Sequence, residues 1–193
     1  MSEGVNRQEA IPALLADHKS ALIVTGLAGS AKDIGALTED GDHTFTMAGA
    51  MGGATAMGLG LALAQPDRKV IVVTGDGELL MNVSSLATVA VAKAPNLSIV
   101  CVDNGHYQET GNQASHTSRG VDLGAIAAGS GIKTCRTVTT MAEVEDARSL
   151  LAGANDTCFI HLKIDGTPPP VFKRDMDAAN VKTRFRKALL GTA

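Results

Sequence analysis

The sequence predicts an α/β fold, a doubly wound parallel sheet with helices on both faces, and three observations carry that expectation. A run of β-branched residues over 70–74 stops abruptly at Gly75-Asp76-Gly77, and a second apolar run over 97–102 stops at Asp103-Asn104-Gly105. Between them, residues 80–93 carry apolar side chains at helical spacing (Leu80, Val83, Leu86, Ala87, Ala90, Val91). That reads as strand, turn, helix, strand, turn. Along the whole chain about five or six short strands alternate with helices, the pattern of a parallel sheet wound in both directions.

Residues 7–18 place Ile11, Leu14 and Leu15 on one face and read as a short amphipathic helix, with Pro12 tolerable in a first turn. Residues 21–24 form a strand ending in TGLAGS, and a helix over 31–37 follows with Ser30 as its N-cap. A polar loop over 38–42 leads to an extended piece at 43–47, then a glycine-rich turn at 48–53 and a helix over 54–64 made of small residues. Gly58 and Gly60 each cost that helix about 1 kcal/mol, which close packing against a neighbour would explain. Pro95-Asn96 ends the helix that follows the Gly75-Asp76-Gly77 turn. Asp122 then caps a helix over 123–128, followed by a strand over 132–138 and a helix over 141–151 with an acidic first turn. A last strand alternates over 158–164. Past Gly166, Pro168-Pro169-Pro170 makes a stiff connector, and 175–190 is a charged helical tail with Val181, Phe185, Ala188 and Leu189 on one face. Two regions are expected: a sheet domain over 1–166, and the connector and tail over 167–193.

The 193 residues are 45% hydrophobic but only 3% aromatic, so the core is aliphatic and closely packed with Ala and Gly. A net charge of −3 gives no electrostatic footprint for nucleic acid. None of the three cysteines has CxxC or metal spacing, and buried reduced thiols are expected. No basic start with a following apolar segment opens the chain, and no apolar run reaches membrane length. A cytoplasmic location with no membrane partner is expected.

The polar chemistry gathers at the carboxyl ends of the two central strands, where open parallel sheets bind ligands. Asp76 offers a carboxylate and Asn104 a neutral amide oxygen, and adjacent parallel strands would set them side by side. Mg²⁺ favours such hard oxygens and takes one or two carboxylates, with phosphate and water completing its octahedron. Gly75 and Gly77 leave room for backbone to approach phosphates, and the amides opening the next helix point at the anion. A dinucleotide site is excluded because no G-x-G-x-x-G follows the first strand, and a Walker A loop is absent.

GDG at the end of a β-branched run, then an Asn at the end of the next strand with 27 residues between Asp76 and Asn104, resembles the diphosphate-binding signature of thiamine diphosphate enzymes. The upstream MAGAMGGATAMGLGLALAQPDRKV and the downstream ETGNQASHT extend the resemblance over residues 21–164. Within that superfamily the chain looks most like sulfopyruvate and phosphonopyruvate decarboxylases, and it resembles the β chain of the former. The resemblance implies thiamine diphosphate and Mg²⁺ as cofactors. It implies Asp76, Asn104 and the carbonyl of His106 as metal ligands. Gly75, Gly77, Glu78, Tyr107 and Gln108 would lie beside the diphosphate, with Gly26 in a loop that lines it. Met51 would sit under the bent cofactor, and backbone at Gly49 and Met51 would meet the aminopyrimidine.

Thr110, Gly111 and Gln113 continue a loop able to close over substrate; Gln113 and His116 are read equally as ordinary surface residues. The family commonly has two glycines where this chain has Gly111-Asn112, which leaves loop conformation open. Lys93 and Arg119 are candidates to contact the anionic end of a substrate. His18, His43 and His161 are expected at the surface or at strand ends.

Family catalysis needs a Glu against the pyrimidine N1′, supplied by a second domain of similar size. A chain of 193 residues cannot hold both, and Glu78 and Glu109 fall on the diphosphate side. The resemblance therefore implies a pyrimidine-binding α subunit as partner, in an α2β2 or larger hetero-oligomer, and leaves the catalytic residue to that subunit. The implied activity is decarboxylation of a small anionic 2-oxo acid. A carboligase or other 2-oxo acid enzyme, and a non-catalytic regulatory subunit, are the alternatives.

Overall fold

The computed structural model describes residues 4–191. In chain order the strands are β1 (Ala21–Thr25), β2 (Thr44–Thr46), β3 (Lys69–Gly75), β4 (Leu97–Asp103), β5 (His106–Tyr107), β6 (Gln113–Ala114), β7 (Thr134–Val138) and β8 (Cys158–Lys163). The helices are α1 (Arg7–Leu14), α2 (Ala28–Thr38), α3 (Ala54–Ala64), α4 (Asp76–Leu80), α5 (Ser85–Ala92), α6 (Leu123–Gly129), α7 (Met141–Gly153) and α8 (Ala178–Leu190). Six strands make one sheet in the order β2-β1-β3-β4-β8-β7, every pairing parallel, and β5 and β6 form a small antiparallel pair outside it.

Every residue of β1 and β4 is buried, because helices cover both faces and leave no side for a polar alternation. One face packs Ile11 and Leu14 of α1, Ile34 of α2 and Val144 and Leu151 of α7 against Ile23, Val73 and Val100. The other packs Leu59 of α3, Leu86 and Val89 of α5 and Leu123 of α6 against Val72, Ile99 and Phe159. The expected doubly wound fold is what these two layers make. Between β2 and β3 the chain passes over β1, so the winding reverses between β1 and β3 and opens a crevice outside their carboxyl ends.

Several boundaries differ from expectation for identifiable reasons. The helix expected over 80–93 is two helices, α4 and α5, with a turn between them. There the Asn82 side-chain amide donates to Gly52 O (3.1 Å) and the Ser85 hydroxyl to Asn82 O (2.7 Å). Such local side-chain bonds compete with the helical ladder. Asp76, read as a turn residue, is the first residue of α4. Helix α2 starts at Ala28 after Leu27, which leaves Ser30 buried in its first turn instead of capping it. Helix α1 stops at Leu14, with a separate 3-10 turn at His18–Ser20, and Pro12 lies in its interior rather than its first turn. Of the two α3 glycines, only Gly58 is explained by packing within the chain. A Cβ there would lie 2.0 Å from Val72 Cγ2, whereas nothing lies within 4 Å of one at Gly60.

The Asp122 cap holds, accepting from the Ala125 amide at 3.0 Å. The tail becomes helical only at Ala178, where the Asp177 carboxylate accepts from the amides of Ala179 and Asn180. Helix α8 lies against β2: Val181 and Phe185 are buried, Phe185 meets Phe45 edge-on at 5.7 Å, and Ala188 is exposed. Arg184 donates to the carbonyls of Asp40 and Thr44. Among the described residues no helix is long and apolar enough to cross a membrane.

Candidate functional site

A cavity of about 320 Å³ opens at the switch point. Its walls come from the start of α2 (27–30), the end of β3 and start of α4 (75–78), Asn104 with residues 106–110, and Ala48 and Met51 of the glycine-rich turn. Arg7, Arg174 and Met176 close it from the two ends of the chain. The register pairs Gly75 with Val102, so Asp76 and Asp103 are the next residues along two adjacent strands.

Asp76 is only 2% exposed. Its Oδ2 accepts from the Ser115 hydroxyl and lies 3.1 Å from Thr117 Oγ1. Burial pushes the Asp76 carboxyl up, the neighbouring Asp103 charge adds to that, and the two hydroxyls pull it partly back. Asp103 is equally buried, yet it is held well below the usual carboxylate range. Desolvation is outweighed by hydrogen bonds from His161, Lys163 and Thr117, each at 2.7 Å. The pair divides its titration accordingly: Asp103 keeps its charge, and Asp76 bears the cost of proximity. Ser115 and Thr117 carry one hydroxyl proton each. The single Thr117 proton is shared between the two carboxylates, more strongly with Asp103, and a cation beside Asp76 would offset their mutual repulsion.

Asn104 stands one residue beyond this network, on the cavity wall. Its Oδ1 accepts from the His106 amide at 2.9 Å, and the His106 ring Nδ1 lies 2.9 Å from Asn104 O, which folds residues 104–106 into a fixed turn. Tyr107 lies across Gly77: a Cβ on Gly77 would come within 2.3 Å of its ring, so glycine is required for that close approach. Glu78 lies on the cavity wall. Its Oε2 accepts from the Leu27 amide at 3.0 Å, and burial raises its carboxyl above the usual range. Gly26 faces the same carboxylate, since a Cβ there would overlap Glu78 Oε2. Glu78 thus links the ends of β1 and β3 from beneath.

Of the residues singled out in the sequence, Met51, Gly75, Asp76, Gly77, Glu78, Asn104, His106, Tyr107, Gln108, Glu109 and Thr110 line the cavity, and Gly26 and Gly49 do not. Met51 is 40% exposed at its rim. Lys93 and Arg119 are not on the wall either; the cations there are Arg7 and Arg174. Gln113 and His116 are exposed. The expected surface histidines need correction, because His161 is fully buried on Asp103 and His18 is buried against His43. Sequence reasoning also missed Ser115, Thr117 and Lys163. The signal available was His161-Leu162-Lys163, which puts two basic side chains on one face of a strand beside Asp103.

The donor set suits a hard divalent cation. With Asp76 Oδ2 occupied by hydroxyls, Oδ1 is left for a ligand; Asn104 Oδ1 and the His106 carbonyl are the other oxygens at hand. An anion would meet the first-turn amides of α2, whose N-cap Leu27 has no side chain able to satisfy them.

Residues 33–162 match the family model described as thiamine pyrophosphate enzyme, C-terminal TPP binding domain. The chain belongs to the thiamine pyrophosphate enzyme family. It is 33% identical over 191 residues to sulfopyruvate decarboxylase subunit beta of Methanothermobacter thermautotrophicus, covering 99% of this chain and 97% of that one. It is 36% identical over 182 residues to phosphonopyruvate decarboxylase of Streptomyces viridochromogenes, covering 93% of this chain and 45% of that one. The chain therefore spans about half the length of such single-chain relatives. Benzoylformate decarboxylase from Polynucleobacter necessarius has the same fold, with a TM-score of 0.66 at 19% identity over 85% of this chain and 34% of that one. The thiamine pyrophosphate family match takes in Asp76, Asn104 and the hydroxyls behind them. It leaves out Arg7, the start of α2, Arg174 and Met176.

Proposed function

We propose that this chain is the diphosphate-binding subunit of a thiamine diphosphate- and Mg²⁺-dependent decarboxylase acting on a sulfopyruvate-like or phosphonopyruvate-like 2-oxo acid. The single observation that carries the reading is the placement of Asp76 and Asn104 at the ends of adjacent strands on one cavity wall, in a chain of this family. Asp76, Asn104 and the His106 carbonyl would hold Mg²⁺, and Gly75, Gly77 and the α2 amides would receive the diphosphate. Bound thiamine diphosphate would supply the electron sink on which a 2-oxo acid loses CO₂. Met51, on the opposite rim, would hold the cofactor's bend. Tyr107 and Gln108 close the diphosphate side.

The activating carboxylate would come from a pyrimidine-binding partner. Among the acidic residues of the cavity wall, Glu78 gives one oxygen to the Leu27 amide and Glu109 pairs with Lys32 and Arg174, both on the side assigned to the diphosphate rather than the pyrimidine. Exposed apolar side chains on and around α3 and the α4–α5 pair, Met57, Leu63, Met81 and Val91, support an interface on that face.

Calorimetric titration of thiamine diphosphate with Mg²⁺ tests the reading, using the chain alone and co-expressed with a pyrimidine-binding partner. Tight Mg²⁺-dependent binding in the pair, lost in Asp76→Ala, is expected. Absence of binding in both preparations would remove the cofactor assignment and the decarboxylase with it.

A further inference from the structure

We infer that Arg174, on the connector beyond the family match, is the residue that selects for a second anionic group on the substrate. The inference rests on the functional reading above for the identity of the substrate. Three observations carry it.

The first is how the side chain is delivered. The Gln8 side-chain Nε2 donates to Pro168 O at 3.0 Å, and the three prolines keep the connector extended. Phe172 then docks on α2 where Gly35 has no side chain; a Cβ there would lie 2.4 Å from its ring. Two residues later Arg174 enters the cavity wall, and Met176 follows it. The connector is thus anchored at two points before the arginine.

The second is the state of the guanidinium. The Arg174 side chain is 11% exposed, and its Nη1 is buried without a partner among the described residues. Its Nη2 meets Glu109 Oε1 at 3.4 Å. The other arginine of the cavity, Arg7, differs: its Nε and Nη2 both reach the buried Asp33, at 3.1 and 2.5 Å, so its fork is already used. Arg174 has an unused donor in a dry position, where an unmet donor is costly. A planar guanidinium matches the paired oxygens of a sulfonate, phosphonate or carboxylate.

The third is the charge around it. Glu109 is shared between Arg174 and Lys32, the latter at 3.6 Å, and its own side chain is 47% exposed. One carboxylate between two cations leaves this group of three side chains with a single net positive charge, apart from Asp76 and Glu78 elsewhere on the lining. Glu109 occupies the place an incoming anion would take.

The test is calorimetric titration of sulfoacetate, with acetate as control, into the complex of this chain with its partner, with and without thiamine diphosphate. Arg174→Gln is expected to weaken sulfoacetate binding at least tenfold and to leave thiamine diphosphate affinity within twofold. Glu109→Gln is expected to tighten sulfoacetate severalfold, a gain that damage to the fold does not produce. Equal sulfoacetate affinity in wild type and Arg174→Gln overturns the inference, as does a parallel loss of cofactor affinity. A wild-type complex that binds the cofactor but not sulfoacetate also overturns it, leaving the proposed function intact. If the cofactor does not bind, the functional reading fails, and the titration without cofactor still decides whether Arg174 holds the anion.

Discussion

Asp76 and Asp103 stand next to each other at the ends of β3 and β4, and the hydroxyl of Thr117 touches both, at 3.1 and 2.7 Å. One carboxylate is paired from behind with Lys163 and hydrogen-bonded to His161; the other faces the cavity. This division makes Asp76 the side chain that gains most from a cation. Removing Thr117 Oγ1 should loosen the pair without removing either charge. Thr117→Val is expected to lower stability by about 1–3 kcal/mol and to weaken Mg²⁺-dependent thiamine diphosphate binding, read by denaturant unfolding and calorimetry. Unchanged affinity would mean the hydroxyl does not position Asp76.

His161 should matter to the fold as much as to the site. It is fully buried and donates to Asp103, so His161→Leu leaves that carboxylate with Lys163 and Thr117 alone. A loss of about 3 kcal/mol is expected, visible as a lower urea midpoint with an unchanged slope. His161→Gln, which keeps a donor, should recover part of it.

The stacked pair His18 and His43, ring centroids 5.3 Å apart, gives a pH dependence. Burial lowers both, with Lys19 adding to each and His18 to His43, against a smaller opposing pull from Asp42. Their folded values thus lie below the unfolded value of about 6.5. The unfolded chain binds more protons in that window, so this contribution is complete above about pH 6.5 and is lost as pH falls below it. Melting curves from pH 8 to 5 should show His43→Phe losing less stability on acidification than wild type. The raised carboxylates Asp33, Asp76 and Glu78 act with the opposite sign, and they cancel in that difference.

The two glycines of α3 should respond in opposite ways. Gly58→Ala drives a methyl into Val72 and should cost about 1–3 kcal/mol. Gly60→Ala meets nothing within the chain and should gain up to about 1 kcal/mol of helix propensity. If α3 packs against a partner, Gly60→Ala should stabilise the isolated chain and weaken the complex, which sedimentation of the pair would detect.

The main elements were legible because parallel strands buried on both faces leave uninterrupted apolar runs, and 70–74 and 97–102 are such runs. Asp76 and Asn104 were legible because both follow directly from strand ends. Ser115, Thr117 and Asp103 were not singled out, because a buried hydrogen-bond network has no periodicity and joins residues about forty positions apart. Arg174 was hidden for a related reason. Its place depends on a ring fitting over Gly35, and no local pattern announces that contact. The break between α4 and α5 came from Asn82 and Ser85 bonding to backbone, which outweighed good helical spacing.

Helix α8 has a consequence for how the chain behaves in solution. β2 is an outermost strand only three residues long, and Arg184 takes up the outward carbonyl of Thr44 while Phe185 roofs Phe45. Such strands are templates for another chain to pair with, and natural proteins blunt them by shortness or by a cover. Here both devices are present. A chain shortened before Ala178 would keep its sheet and its cavity residues up to Met176, but it would offer an uncovered strand edge and an unroofed Phe45. Self-association on storage, rather than loss of the fold, is the failure such a truncation invites.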